Sequence, residues 1–267
     1  MQTLSIENLK RIAPSIFTES SANRTTDKYQ HISTARIVDG LRTEGFLPVW
    51  ATQCRSRIAE KKIFTKHMLR FRHLDAKPTA SGLFPEIVLI NSHDGLSSYR
   101  LMAGIYRLVC SNGLIAGNTY NETRIRHQGD ILGQVIEGTY EVIEDSKKMI
   151  DVADQMSRTS LNAKERLIIA ESAHGLRFDG TPLSCAIEPL KLLKPRRFAE
   201  LEKNDLFTVF NVIQENVIKG GLKGYTRNQN GRYKKVSTRE INSIDQNTAL
   251  NRALWSLAEK MMELKSA

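Results

Sequence analysis

The sequence predicts an α+β fold, with an antiparallel, sheet-rich N-terminal half packed with helices and a helical C-terminal half. Three observations carry this. Between Phe46 and Ile115, short runs rich in β-branched and aromatic residues alternate with tight-turn signals. After Gly129 the apolar residues recur at steps of three and four instead. At 267 residues, 40% hydrophobic and 25% charged, the chain has the composition of a globular protein able to bury a proper core. The division falls between 1–128 and 129–267, read together as one compact unit.

The elements follow in order. Ser5 caps a short helix that runs to Ala13 and stops at Pro14. Thr18 to Lys28 is polar and reads as a loop. Ser33 to Glu44 forms a second helix, with Ile37, Val38 and Leu41 on one face and Gly45 as its stop. Phe46 to Arg57 and Phe64 to His73 read as strands. In the second, Lys66, Met68, Arg70 and Arg72 fall on one face and His67, Leu69 and Phe71 on the other, which predicts a basic face backed by a core face.

Glu86 to Asn91 and Ser97 to Met102 make a hairpin whose turn, Ser92 to Gly95, takes positive φ at Asp94-Gly95. Ile105 to Cys110 is a further strand, and Ser111-Asn112-Gly113 turns the chain into Leu114-Ile115. Helices are expected from about Leu132 to Met156, over Leu161 to Ala173, over Leu206 to Ile218 and from Leu250 to Leu264. Pro189 and Pro195 make Leu183 to Arg197 a connector.

Charge is the most informative feature. The net charge is +10, and it is not evenly spread. Arg55 to Arg72 holds Arg55, Arg57, Lys61, Lys62, Lys66, Arg70 and Arg72 against Glu60. Lys219 to Arg239 holds Lys219, Lys223, Arg227, Arg232, Lys234, Lys235 and Arg239 with no acid. These segments carry +6 and +7, leaving the remainder at −3. Focused positive charge attracts polyanions, whereas evenly spread charge mainly aids solubility. The second segment interleaves Tyr225 and Tyr233 with its cations. Such rings offer stacking faces to unpaired bases, so Gly220 to Arg239 reads as a flexible arm or hairpin that orders on nucleic acid. The competing reading of each segment is a solvated basic face.

Other chemistry finds less support. Asn91, His93 and Asp94 in one turn suit a metal or phosphate, yet the same residues also serve ordinary turn bonding. His31, His67, His73, His93, His127 and His174 make no HxxxH, HxH or HExxH pattern, and there is no GxSxG or GxxxxGK[ST]. Cys54, Cys110 and Cys185 are odd in number and widely spaced, which suits a reducing compartment. No apolar run nears the roughly 20 residues of a membrane span, and the start lacks a secretory signature. The expectation is a cytoplasmic protein with no membrane partner, no cofactor, no metal and no assigned catalytic residue.

Several stretches carry a resemblance. They are Ala13-Pro14-Ser15-Ile16-Phe17, Glu44-Gly45-Phe46-Leu47-Pro48, Lys66-His67-Met68-Leu69-Arg70, Asn91-Ser92-His93-Asp94-Gly95 and Cys110-Ser111-Asn112-Gly113-Leu114. Later come Gln134-Val135-Ile136-Glu137-Gly138, Glu215-Asn216-Val217-Ile218-Lys219-Gly220-Gly221 and Asn251-Arg252-Ala253-Leu254-Trp255. In this order they resemble an uncharacterised prophage and plasmid family, domain of unknown function 932 (the YfjQ/YafZ type). The resemblance implies residence on mobile DNA, where recombination, single-strand handling and countering host defence are common roles.

The expected function is therefore that of a mobile-element nucleic-acid-binding protein, a sequence-tolerant single-stranded DNA binder or annealing factor. The expected binding residues are Arg55, Arg57, Lys66, Arg70, Arg72, Lys223, Tyr225, Arg227, Arg232, Tyr233, Lys234, Lys235 and Arg239. An annealing role allows a homo-oligomer. The alternatives are an anti-restriction inhibitor of a host protein and a metal-dependent nuclease built on His93 and Asp94.

Overall fold

The computed structural model describes residues 3–22, 30–79, 82–95, 97–107, 114–115, 122–227 and 232–266, with backbone alone at 106–107 and 114–115. The residues described up to Ile150 form one unit and those from Asp151 onward form a second. The units divide within a helix, beyond the point where strands give way to helices in the sequence.

In the first unit, α1 (Ile6–Ile12) begins where Ser5 Oγ accepts from the Asn8 amide at 3.2 Å. A 3₁₀ turn, Pro14–Phe17, follows it. The apolar stripe of α2 (Thr34–Thr43) buries Ile37, Val38 and Leu41 as expected. Then come β1 (Phe46–Gln53), β2 (His67–His73), β3 (Leu83–Asn91), β4 (Tyr99–Arg107), β5 (Leu114–Ile115) and β6 (Glu122–Ile125). All pair antiparallel, in the order β1-β2-β3-β4, with β5 and β6 both on β4.

Three details differ from the sequence reading. β4 runs unbroken through Ala103 and Gly104, because Ile87 and Glu86 of β3 pair with them and satisfy their backbone. β6 had no sequence signal strong enough to mark it. At the β3–β4 turn Gly95 has φ +77° while Asp94 does not enter that region. The expected turn at Ser111 to Gly113, with Cys110, lies outside the described residues, as does part of the Thr18 to Lys28 loop.

The long helix α3 (Ile131–Arg158) links the two units, and α4 (Ala163–Phe178), α5 (Leu206–Lys219), β7 (Lys223–Arg227), β8 (Tyr233–Ser237) and α6 (Ile244–Ser266) complete the chain. An Asn162–Glu165 capping box opens α4, and the Asp205 side chain accepts from the Thr208 amide at 2.8 Å to open α5. Every α5 residue from Leu206 to Ile218 is buried, so its polar members need internal partners. Gln214 donates to Asn251, Asn216 donates to the Leu192 and Lys194 carbonyls, and Glu215 takes Arg197 at 2.7 and 2.8 Å. α5 is thus the fixed spine of this unit, and the β7–β8 hairpin leaves from its end. Among the described residues no helix is long and apolar enough to cross a membrane.

Candidate nucleic-acid interface

The hairpin is built from the helix end upward. Gly220 closes α5 at φ +64°, ψ −145°, a region reserved for glycine, and a Cβ there would sit 2.7 Å from the Arg239 backbone. The Gly221 amide then donates to the Thr238 carbonyl at 2.9 Å and the two strands zip up. Lys223 pairs with Ser237, Gly224 with Val236, Tyr225 with Lys235, Thr226 with Lys234 and Arg227 with Tyr233. Gly224 presses on the body of the unit, where a Cβ would fall 1.9 Å from the Ala186 carbonyl oxygen. Alternation along the strands then turns Lys223, Tyr225, Arg227, Tyr233 and Lys235 to the opposite face.

That outer face is open. Tyr225 is 60% exposed and Tyr233 69%. Lys223, Arg227, Arg232, Lys234, Lys235 and Arg239 are also exposed. Among the described residues Lys223, Lys234 and Lys235 have no carboxylate partner. The Arg227 guanidinium lies 5.0 Å from the centre of the Tyr233 ring and donates to its hydroxyl at 2.9 Å. Lys219 is turned back onto Glu215 at 3.1 Å, so it belongs to the α5 packing. Asn228, Asn230 and Gly231 lie outside the described residues.

The basic segment of the first unit splits in two. Arg55, Arg57, Lys61 and Lys62 are exposed in the β1–β2 connection, and Lys66 is half-buried. Arg70 and Arg72 do share a face, but that face is not open to solvent. Arg70 is 8% exposed and Glu86 2%; Arg70 Nε meets Glu86 Oε2 at 2.7 Å, and Arg72 Nε meets Glu86 Oε1 at 3.0 Å. Trp50 and Phe84 lie alongside the guanidiniums, 5.7 and 3.8 Å from ring centre to Cζ. The expectation of a solvent-facing basic sheet is corrected here: alternation placed the arginines on one face, and a single carboxylate from the neighbouring strand holds both of them there, away from solvent. Arg100 is held in the same way by Glu122 at 2.9 Å, while Arg124, which reaches the same carboxylate at 2.6 Å, stays exposed. Glu86, a lone acid in the apolar run Glu86 to Ile90, was the available signal.

The Asn91 to Gly95 turn also faces inward. Asn91, Ser92 and His93 are each fully buried, while Asp94 is half-buried and accepts from Ser92 Oγ at 2.6 Å. Thr34 gathers the network: its hydroxyl lies 2.9 Å from His67 Nε2 and 3.3 Å from His93 Nε2, and it accepts from Asn91 Nδ2 at 3.1 Å. His67 Nδ1 reaches Ser15 Oγ at 2.8 Å, and His127 Nε2 reaches Asn91 Oδ1 at 3.1 Å. The His31 ring stacks edgewise on His93 at 4.9 Å. Burial pushes His67 and His127 down to about 4, and burial with three neighbouring imidazoles pushes His93 to about 2. These rings are neutral near pH 7 and tie the sheet to the N-terminal helices. Among the described residues no three His, Cys, Asp or Glu side chains are placed to hold a metal. The network joins residues scattered from Ser15 to His127, which no local spacing reveals.

The model of the family described as "Domain of unknown function (DUF932)" matches residues 23–255. Two Escherichia coli (strain K12) proteins, UPF0380 protein YfjQ and UPF0380 protein YafZ, are each 40% identical over 261 residues, covering 97% of this chain and 92% of theirs. No solved structure matches. With the family model covering most of its length and two relatives matching it nearly end to end, the chain belongs to the DUF932 family.

Proposed function

We propose that this protein binds single-stranded nucleic acid, DNA foremost, on the outer face of the β7–β8 hairpin, without strong sequence preference. The observation that carries the reading is a ribbon face on which two exposed tyrosines alternate with Lys223, Arg227 and Lys235, with no acid between Lys219 and Arg239. Cations neutralise phosphates and release counterions; the rings stack on bases, and stacking requires bases that are not already paired. Neither contact reads a base edge, so tolerance of sequence follows.

Handling of single strands on mobile DNA, as a protection or annealing factor, is the role this chemistry serves best. The nuclease reading finds no geometry to support it at His93 and Asp94, since His93 is buried in the sheet–helix network.

Titration of a labelled mixed-sequence oligonucleotide tests the proposal. Tyr225→Ala and Tyr233→Ala are each expected to cost about 1–3 kcal/mol of single-strand affinity while leaving duplex affinity nearly unchanged. Equal losses on single strand and duplex would show that the rings do not stack, and absence of single-strand binding by the unaltered chain would end the reading.

A further inference from the structure

The exposed β1–β2 connection of the first unit carries a second surface with different chemistry. Arg55, Arg57, Lys61 and Lys62 are exposed there and have no ion-pair partner among the described residues, unlike Arg70 and Arg72 a few residues on. The fold also leaves two aliphatic side chains of this loop outside: Ile58, between Arg57 and Lys61, at 50% exposure, and Ile63, directly after Lys62, at 44%. Single exposed apolar residues are ordinary. Two of them beside four unpaired cations, in one loop fastened by hydrogen bonds, are not explained by solubility.

Hydrogen bonds fasten the loop at several points. The 3₁₀ turn Ala59–Phe64 is fastened through its carbonyls: Gln53 Nε2 donates to the Lys62 oxygen at 2.6 Å, Thr18 Oγ1 to that of Ile63, and the His93 amide to that of Phe64 at 3.1 Å. The Cys54 amide closes the base of the loop on the Lys66 carbonyl at 2.8 Å, and Ser56 Oγ accepts from the Ile58 amide at 3.1 Å. The ordering entropy is therefore met during folding, and the loop presents its side chains ready for a partner.

We infer that this loop is a duplex contact, in which Ile58 and Ile63 wedge between base steps from the minor groove while the four cations sit on the flanking phosphates. Aliphatic side chains have no π face and make a poor platform for unpaired bases, which separates this loop from the tyrosine hairpin. Inserted between paired bases, they unstack a step and kink the duplex by about 20–90°, and the cations hold the bent backbone. The duplex contact stands on the loop alone.

The full chain, titrated onto a duplex labelled at both ends and onto a single strand, tests this. Binding is expected to shorten the end-to-end distance of the duplex by energy transfer. Ile58→Ser with Ile63→Ser should abolish that bend and weaken duplex binding while leaving single-strand affinity unchanged. Arg55→Gln, Arg57→Gln, Lys61→Gln and Lys62→Gln together should flatten the duplex salt slope by roughly 0.9 per lost phosphate contact. Tyr225→Ala separates the two readings, since it should weaken the single strand alone. Duplex binding without a bend, or a bend that survives the serine substitutions, overturns the wedge. So does capture by anionic lipid vesicles that depends on the two isoleucines while duplex affinity is missing.

Discussion

Glu86→Gln is expected to destabilise the first unit by about 3–5 kcal/mol, because it removes the carboxylate that Arg70 and Arg72 share in a buried setting. Thermal unfolding checks this, and a shift smaller than about 1 kcal/mol would mean that the pair is not desolvated. By the same logic Arg70→Glu is a folding lesion and no probe of binding. The histidines make a second residue-scale prediction. His67, His93 and His127 stay neutral in the fold while the unfolded chain takes up their protons near pH 6.5. Stability is thus full above that pH and falls as pH drops through about 6.5 to 4, with His93 extending the loss toward 2. His67 and His127 each withdraw on the order of 3 kcal/mol by pH 4. Urea midpoints measured from pH 7 to 5 should decline steeply, and His67→Gln should remove about one proton from the slope. A flat profile would contradict the buried network. None of this was legible locally: the alternation of Lys66 to Arg72 was readable, but whether that face met water depended on Glu86 in another strand.

At the scale of elements the hairpin is the test piece. Gly224 lets β7 lie against the Ala186 carbonyl, and Gly220 lets the chain leave α5 beside Arg239. Gly224→Ala should therefore push the ribbon off its seat at a cost of about 1–3 kcal/mol, with faster amide exchange along β7 and β8. Exchange rates equal to those of the unaltered chain would show that the ribbon is not anchored there. The sequence marked this segment well, because charge, aromatic spacing and glycines all lie within it. It marked β4 less well, since Ala103-Gly104 looks like a break until the pairing with Glu86 and Ile87 is known. Long helices were the most readable elements. Period and caps located α5 to within a residue, whereas α6 starts at Ile244, ahead of the leucine stripe that revealed it.

Across the whole molecule, the +10 charge is sorted by burial. Four sheet arginines share the carboxylates of Glu86 and Glu122, while one loop of the first unit and one hairpin of the second each present a run of exposed cations. Composition revealed the excess and its two segments; only the fold shows which cations remain available. Fold class was legible because the change of apolar period is a long-range signal, while the division inside α3 has none. The most direct test of the central claim is a salt titration of single-strand binding, comparing the unaltered chain with Lys223→Gln, Arg227→Gln and Lys235→Gln combined. Log affinity should fall linearly with log salt, and the variant should lose roughly 0.7 of slope for each cation that touched a phosphate. An unchanged slope in the variant would contradict the assignment of the hairpin.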